Sequence, residues 1–324
     1  MKIPRSLHLL LRLSLLVAVV HIAFGAIVRI SGSGMGCGDH WPKCLGAWLP
    51  PMDQPTLVIE WTHRLLAAVL LVTVAAAALD AWRHRGAEGV GGRGGVLRPA
   101  MGALALVIAT ALFGAVTVWL ANAPVATVVH WTLAASLLAT LATALVRAGD
   151  FGSARWSAGT VKLARAAIAG VGLALVVLIL GGLTAKVPGA NSVCPSIPLC
   201  GTAPGAAGPD ASRLQLLQMF HRVLAYMLFL HLMGLVISTR KLAGAPAAVR
   251  AVRIAFGLAL LQIGIAFAMI LGGLPPVLRS AHQVTGVLIW LSLVVAAMLA
   301  RRAAPAEAPV PPSIAVIIAR GGGA

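Results

Sequence analysis

Long apolar stretches, each broken off by a shorter polar connection, set the pattern of this chain. Eight of them, at about residues 9–30, 57–82, 99–121, 125–147, 163–185, 214–239, 253–273 and 277–301, reach the ~20 residues a helix needs to cross about 30 Å of hydrocarbon. No stretch shows the alternating strands of roughly ten residues that build an outer-membrane barrel, so helices must satisfy the backbone within lipid. The pattern predicts an all-α polytopic membrane protein with eight transmembrane helices. Composition points the same way: 60% of the 324 residues are hydrophobic and only 10% are charged, against roughly a quarter charged in a soluble domain.

The net charge of +17 would suggest a nucleic-acid partner in a soluble protein, but here it is resolved by topology. Of 25 Lys and Arg, 18 fall at the two termini and in the connections on their side of the membrane: Lys2, Arg5, Arg12, Arg83, Arg85, Arg93, Arg98, Arg147, Arg155, Lys162, Arg165, Arg240, Lys241, Arg250, Arg253, Arg301, Arg302 and Arg320. Seven lie in or beside the opposite connections: Arg29, Lys43, Arg64, Lys186, Arg213, Arg222 and Arg279. The positive-inside rule then puts both termini in the cytoplasm, with anionic lipid headgroups as counter-charges and no nucleic acid implied. The first stretch, behind Lys2 and Arg5, could also be read as a secretory signal. It is longer than an h-region of about 7–15 residues and lacks a small-x-small end, and is read as an uncleaved span.

On the outer side, two long connections (31–56 and 186–213) alternate with two very short ones (122–124 and 274–276). Long, short, long, short suggests a duplicated four-helix unit, and the residues repeat too. GAIVR at Gly25 to Arg29 is followed by Cys37, Cys44, His63-Arg64 and His130, while GLTAK at Gly182 to Lys186 is followed by Cys194, Cys200, His221-Arg222 and His282. The basic residue precedes the first Cys by 8 in both. Cys to Cys is 7 against 6, Cys to His 19 against 21, and His to His 67 against 61. The expectation is two tandem homologous four-helix bundles, residues 1–155 and 156–303, repeated in parallel because four spans return the chain to the same side. A Pro-, Ala- and Gly-rich tail at 304–324 reads as a disordered cytoplasmic segment.

His63, His130, His221 and His282 fall on spans 2, 4, 6 and 8, each five to eight residues in from the outer end, about 8 to 12 Å below the boundary at 1.5 Å per residue. Ionisable side chains inside a bilayer usually face a bundle interior, imidazole is a common metal ligand, and bundles hold cofactors between facing helices. The economical pairing is one heme iron per half, His63 with His130 and His221 with His282. The plainer alternative is a core imidazole bonded to a neighbouring carbonyl, which four at one level in a duplicated pattern disfavour. Zinc is the weaker metal reading because no HExxH spacing occurs, and CxxCH for covalent heme is absent. His8, His21, His40, His84 and His231 are read as structural or solvated.

Arg29, Arg64, Lys186, Arg222 and Arg279 sit near the histidine level, where they could pair with heme propionates or snorkel to headgroups; Arg64 and Arg222 lie deepest. All four Cys are in the long outer connections. Cys37 with Cys44 and Cys194 with Cys200 would each close a short loop, structurally as a tied lid or functionally as a thiol-disulfide couple, while other connectivities stay open. Glu60 precedes His63 by three residues, on the same helix face, whereas Gln218 takes that place before His221. A carboxylate on one side only is suited to relaying protons or stabilising a developing cation; the plain reading is an interfacial acid near a helix N-terminus.

The stretch from Gly25 to Cys44, GAIVRISGSGMGCGDHWPKC, with Glu60-Trp61-Thr62-His63-Arg64 after it, resembles the first-half signature of the heme A synthase family. MFHR at Met219 to Arg222 and SAHQVTG at Ser280 to Gly286 resemble its later histidine motifs. The resemblance implies that His63 and His130 hold the substrate heme O and that His221 and His282 ligate the iron of a permanent heme b. It further implies that Glu60 is the essential glutamate, and that a methyl group of heme O is oxidised to a formyl group by successive hydroxylation, giving heme A for cytochrome oxidase assembly. It also implies a bacterial-type inner membrane with the heme sites and Cys loops on the extracytoplasmic side, an external electron donor, contact with heme O synthase, and compatibility with a homo-oligomer. Trp61 stands where tyrosine is common, and Cys194 and Cys200 are present although some members lack them. The competing classes are a non-catalytic diheme b-type electron carrier, whose ligands would more naturally lie at two depths, and a transporter, which broken midplane helices would support.

Overall fold

The computed structural model of the protein describes residues 3–201 and 208–302; the tail expected at 304–324 lies outside them. Eight helices follow in order: α1 (Arg5–Ile30), α2 (Pro55–Arg83), α3 (Leu97–Trp119), α4 (Pro124–Ala148), α5 (Ala158–Lys186), α6 (Pro209–Ser238), α7 (Pro246–Leu271) and α8 (Pro276–Arg301), with a 3-10 turn at Ser33–Met35. Every one is long and apolar enough to cross a membrane. Among the described residues there is no strand beyond an isolated bridge between Cys44 and Ala47. The protein is all-α and polytopic.

The helix starts follow from local chemistry. Proline occupies the first turn of α2, α4, α6, α7 and α8, where its missing N–H costs nothing and its fixed φ suits the helix. α5 has no such proline, and begins instead with a reciprocal cap between Ser157 and Thr160. Gly149, at φ 94°, closes α4 in the left-handed conformation that glycine adopts without penalty. The apolar stretches understate three helices: α5 and α6 begin five residues sooner than expected and α7 seven. Hydropathy marks the hydrocarbon, whereas the helices continue into the headgroup layer. In α7 the early turn is ordered by burying Ala247, Ala248 and Val249.

Within α1–α4, each helix packs on its neighbours in a closed ring: α1 on α2, α2 on α3, α3 on α4 and α4 back on α1. The same cycle joins α5, α6, α7 and α8. The rings meet along a seam where α8 touches α1 and α4, and α4 touches α5. Burial reflects that plan, since 56% of the most apolar window of α8 is enclosed against 11% for α7. The core is rich in alanine, with Ala103, Ala142, Ala167, Ala255 and Ala296 fully buried; small residues let helices approach closely where lipid offers no hydrophobic drive to associate. At the end carrying both termini, polar clamps hold the helices together: Arg12 donates to both oxygens of Asp150 at 2.6 and 3.1 Å, and Ser6 donates to Asp80 at 2.8 Å.

Gly182 of α5 lies directly on the seam. A Cβ there would sit 3.1 Å from Val128 and 3.2 Å from the Trp131 ring, both on α4. Gly182→Val is expected to overpack this contact by about 1–3 kcal/mol. The check is a lowered thermal midpoint in detergent with unchanged far-UV helicity.

Candidate functional site

The rings enclose one continuous cavity of about 950 Å³, lined by His63 of α2, His130 of α4, His221 of α6 and His282 of α8. Helix periodicity, with each residue a few positions in from an outer helix end, is what turns all four imidazoles inward together. Glycines on neighbouring helices make room for the rings: a Cβ on Gly25 would lie 3.3 Å from His63 Cε1, on Gly114 3.4 Å from His130 Cε1, and on Gly181 only 2.8 Å from His221 Cε1. The contact that matches Gly25 is therefore Gly181, one residue before the Gly182 that the sequence repeat suggests. A one-residue offset is about 100° around a helix, which carries Gly182 to the seam.

Two of the imidazoles are anchored through Nδ1. His130 Nδ1 is 3.1 Å from the Thr110 carbonyl oxygen and His221 Nδ1 is 3.1 Å from that of Val177. A core histidine would make that bond as well; here it leaves Nε2 as the nitrogen available to the cavity, the arrangement by which backbone carbonyls orient metal-ligating histidines. His63 Nδ1 and His282 Nδ1 are buried with no partner among the described residues. Gln262 of α7 donates to the His282 backbone carbonyl at 2.9 Å. Among the described residues no three His, Cys, Asp or Glu side chains converge as for a bare metal ion.

Glu60 is buried, 4% exposed. Its Oε1 accepts from Arg64 at 2.6 Å and its Oε2 from the Cys37 backbone N–H at 2.8 Å. Gln218 is also buried against the cavity, but its Oε1 has no partner among the described residues. The carboxylate thus ties α2 to the first outer loop, and the amide makes no such tie among the described residues.

Both expected loop closures are present as disulfides, Cys37–Cys44 and Cys194–Cys200. The residue after each α2 or α6 histidine pins its loop. Arg64 donates to the carbonyls of His40 and Lys43 at 2.7 Å, and Arg222 to those of Ser196 at 2.6 Å, Cys194 at 2.9 Å and Leu199 at 3.2 Å. Arg64 thus directs its fork to Glu60 and the first loop, and Arg222 to the second loop. Trp61 donates to the Trp48 carbonyl at 2.9 Å and packs on the buried cluster of Cys37, Cys44 and Leu57, so its indole serves the lid.

Arg29, Lys186 and Arg279 line the cavity and form no ion pair among the described residues. Arg29 donates to Gln283 at 3.1 Å and lies 5.9 Å over the Trp131 ring, bridging α1 to α8 and α4. Of the histidines set aside, His231 bonds the Ala166 carbonyl at 2.9 Å, His84 lies 3.2 Å from Asp80, His8 3.6 Å from Asp150, and exposed His40 3.4 Å from Asp39. His21 differs, for it lines the cavity with its ring centroid 4.2 Å from that of His63. Having no counterpart in the second half, it offered no repeat signal; its only mark in sequence is a position one helical turn before Gly25. Trp131 and Gln283, each next to a cavity histidine, also went unnoticed.

Fold and site define a class: a multi-pass helical membrane protein with duplicated histidine pairs in a cavity beneath two disulfide-closed loops. The chain belongs to the COX15-CtaA family, described as cytochrome oxidase assembly protein, whose model matches residues 8–294. Its relatives include a protein named heme A synthase from Alkalihalophilus pseudofirmus, 28% identical over 222 residues, or 66% of this chain and 70% of that one. Another heme A synthase, from Geobacillus kaustophilus, is 45% identical over 62 residues, 19% of this chain and 20% of that one. A protein named protoheme IX farnesyltransferase from Thermus thermophilus is 47% identical over 60 residues, 18% of this chain and 10% of that one. The chain thus spans about a fifth of the length of the Geobacillus relative it matches.

Arg222→Leu is expected to release the second loop. The Cys194–Cys200 bond should then be reduced severalfold faster by a water-soluble thiol, read as labelled cysteine by mass spectrometry, with Cys37–Cys44 unaffected.

Proposed function

We propose that this protein is a heme A synthase, oxidising a methyl group of heme O to a formyl group to give heme A for cytochrome oxidase assembly. The observation that carries the reading is two histidine pairs in one cavity with a buried carboxylate, Glu60, beside only one of them. The residues suit porphyrins: imidazoles with Nε2 available, glycines that clear space at the rings, and three cavity cations without carboxylate partners among the described residues, which match propionates. Family membership and the relatives named heme A synthase support the same activity.

In this reading the first ring (1–155) is the catalytic half, with His63 and His130 holding substrate heme O, and the second (156–303) holds heme b through His221 and His282. Arg29, Lys186 and Arg279 receive propionates. Heme iron, when bound, supplies the redox chemistry and accepts electrons from an external donor. Glu60 stands at the edge of the first pair, where its carboxyl would stabilise positive charge developing at the reacting methyl carbon or hold a proton released there. Arg64 and the Cys37 amide fix that carboxylate, and the disulfide-closed lids keep bulk water from both pairs. The charge distribution across the connections and the two disulfides support an extracytoplasmic position for the lids. A working contact with the enzyme that makes heme O belongs to the same reading and rests on the family resemblance alone.

Hemes extracted after co-expression with a heme O source provide the test: a formyl-bearing product is expected, and unmodified heme alone would leave a diheme electron carrier. Glu60→Gln should retain heme and lose formyl product by at least about 100-fold, the scale of a general acid–base contribution; undiminished product would remove Glu60 from the chemistry. His282→Ala should lose the low-spin heme signal of the second half, and an unchanged spectrum would rule out the α6 and α8 pairing.

A further inference from the structure

The two long outer loops run down the sides of α2 and α6, and their contacts give the register. In the first, a Cβ on Gly36 would lie 2.5 Å from the Thr56 carbonyl oxygen. The Cys37 N–H then donates to Glu60, and Arg64 donates to the carbonyls of His40 and Lys43. The chain climbs back past Trp61, which donates to the Trp48 carbonyl. In the second, a Cβ on Gly189 would lie 3.3 Å from Leu214; Arg222 donates to the carbonyls of Cys194 and Ser196, and Tyr226 to that of Pro198 at 2.9 Å. From Thr56 to Arg64 is eight residues and from Leu214 to Tyr226 twelve, so the last anchors lie ~12 and ~18 Å along helices whose apolar stretches begin at 57 and 214. Side chains that tilt toward the helix N-terminus return part of that distance, which leaves the loops at the hydrocarbon boundary and not above it. Irregular backbone at that level needs partners from the protein; the anchors supply them, and Cys44 and Ala47 exchange both backbone bonds at 2.9 and 3.0 Å.

The outward faces of the loops are apolar. Trp48, Leu49 and Leu199 are 69, 71 and 67% exposed, as open as Val72 in the middle of α2 at 67%, a position that only lipid covers. Trp48 also lines a shallow groove of about 440 Å³ with Asp39, His40, Trp41, Lys43 and Trp119. Indoles among charges are the composition of the layer between headgroups and acyl chains, and Trp119, the last residue of the spanning helix α3, fixes the groove at that level. The Lys43 ammonium lies 5.6 Å over the Trp48 ring.

We propose that both disulfide-closed loops are seated in the lipid leaflet on the side away from the termini, where Trp48, Leu49 and Leu199 meet acyl chains and Lys43 meets lipid phosphate. The partner is a phospholipid surface. The inference goes beyond the heme A synthase reading and stands without it. Trp41 and Trp48 line both the groove and the main cavity, so the first loop is a wall between the histidine cavity and lipid.

The test uses the full chain in phosphatidylcholine vesicles, with both native disulfides verified as intact. A spin label is placed at Leu49→Cys, at Leu199→Cys or at Asp53→Cys, the last an exposed position just before α2. Relaxation by oxygen, which concentrates in lipid, is compared with relaxation by a water-soluble nickel chelate. The oxygen-to-nickel ratio should be severalfold higher at 49 and 199 than at 53. A ratio at 49 or 199 no higher than at 53 would overturn the proposal for that loop. Should an added cysteine disturb the native disulfides, the unaltered chain is irradiated with a phospholipid carrying a diazirine in its acyl chain. Adducts mapped to residues 45–49 and to Leu199 are then expected, and adducts confined to the helices would overturn the seating of both loops.

Discussion

A polar group inside a bilayer has no water to fall back on, so each one must find a partner within the protein or be available to something the protein binds. Almost every feature of the site follows from how that constraint is met. Two histidines meet it with carbonyls of the adjacent helix, through Thr110 and Val177. Arg64 and Arg222 meet it with the carbonyls of the outer loops, so the same bonds that satisfy the guanidinium groups also hold the lids down. Glu60 meets it with Arg64 and the Cys37 amide. What remains is informative: Nε2 of the carbonyl-bonded histidines, and the cations Arg29, Lys186 and Arg279, which have no carboxylate partner among the described residues, all lie at one cavity.

The lids show how local closure and long-range attachment divide the labour. Each disulfide spans only 7 or 6 residues and shapes the loop without attaching it to anything. Each half attaches its loop through an arginine, whose planar fork reaches several carbonyls at once in a way a lysine ammonium does not, and Tyr226 adds a point in the second half by donating to the Pro198 carbonyl at 2.9 Å. In the first half Asn122 adds a second point, donating to the Gly34 carbonyl at 2.8 Å from the α3–α4 turn. The first lid is therefore tied to α2, to the α3–α4 turn and to Glu60.

Spans, repeat and histidine level were legible in the sequence because each is periodic: hydrocarbon thickness, duplication and helical pitch all leave regular intervals. Helix starts were less legible, since Pro246 and Ser157 open turns that lie beyond the apolar stretch. GAIVR and GLTAK align Gly25 with Gly182, while packing against the histidine selects Gly181, a choice that composition does not announce. The loop carbonyl partners of Arg64 and Arg222 were not legible, because they are irregular backbone, which no side-chain pattern announces. His21 was passed over for the opposite reason. A search guided by duplication finds what the halves share and is blind to what one half has alone.

That blindness bears on how the two halves relate. The shared features (histidine pairs, loop disulfides, arginine pins and glycine clearances) would hold two similar planar ligands and say nothing about which one reacts. Unshared features occur in both halves: Tyr226 braces the second lid and Gln262 the His282 carbonyl, whereas the first half has Glu60 where the other has Gln218, His21 on α1, and Asn122 bracing its lid. A carboxylate replaced by an amide of nearly the same shape keeps the packing and removes the charge, so the change alters chemistry more than fold. Duplication supplied two sets of histidines on one cavity, and a buried carboxylate stands beside only one of them, the asymmetry on which the proposed division between a reacting and a binding half rests.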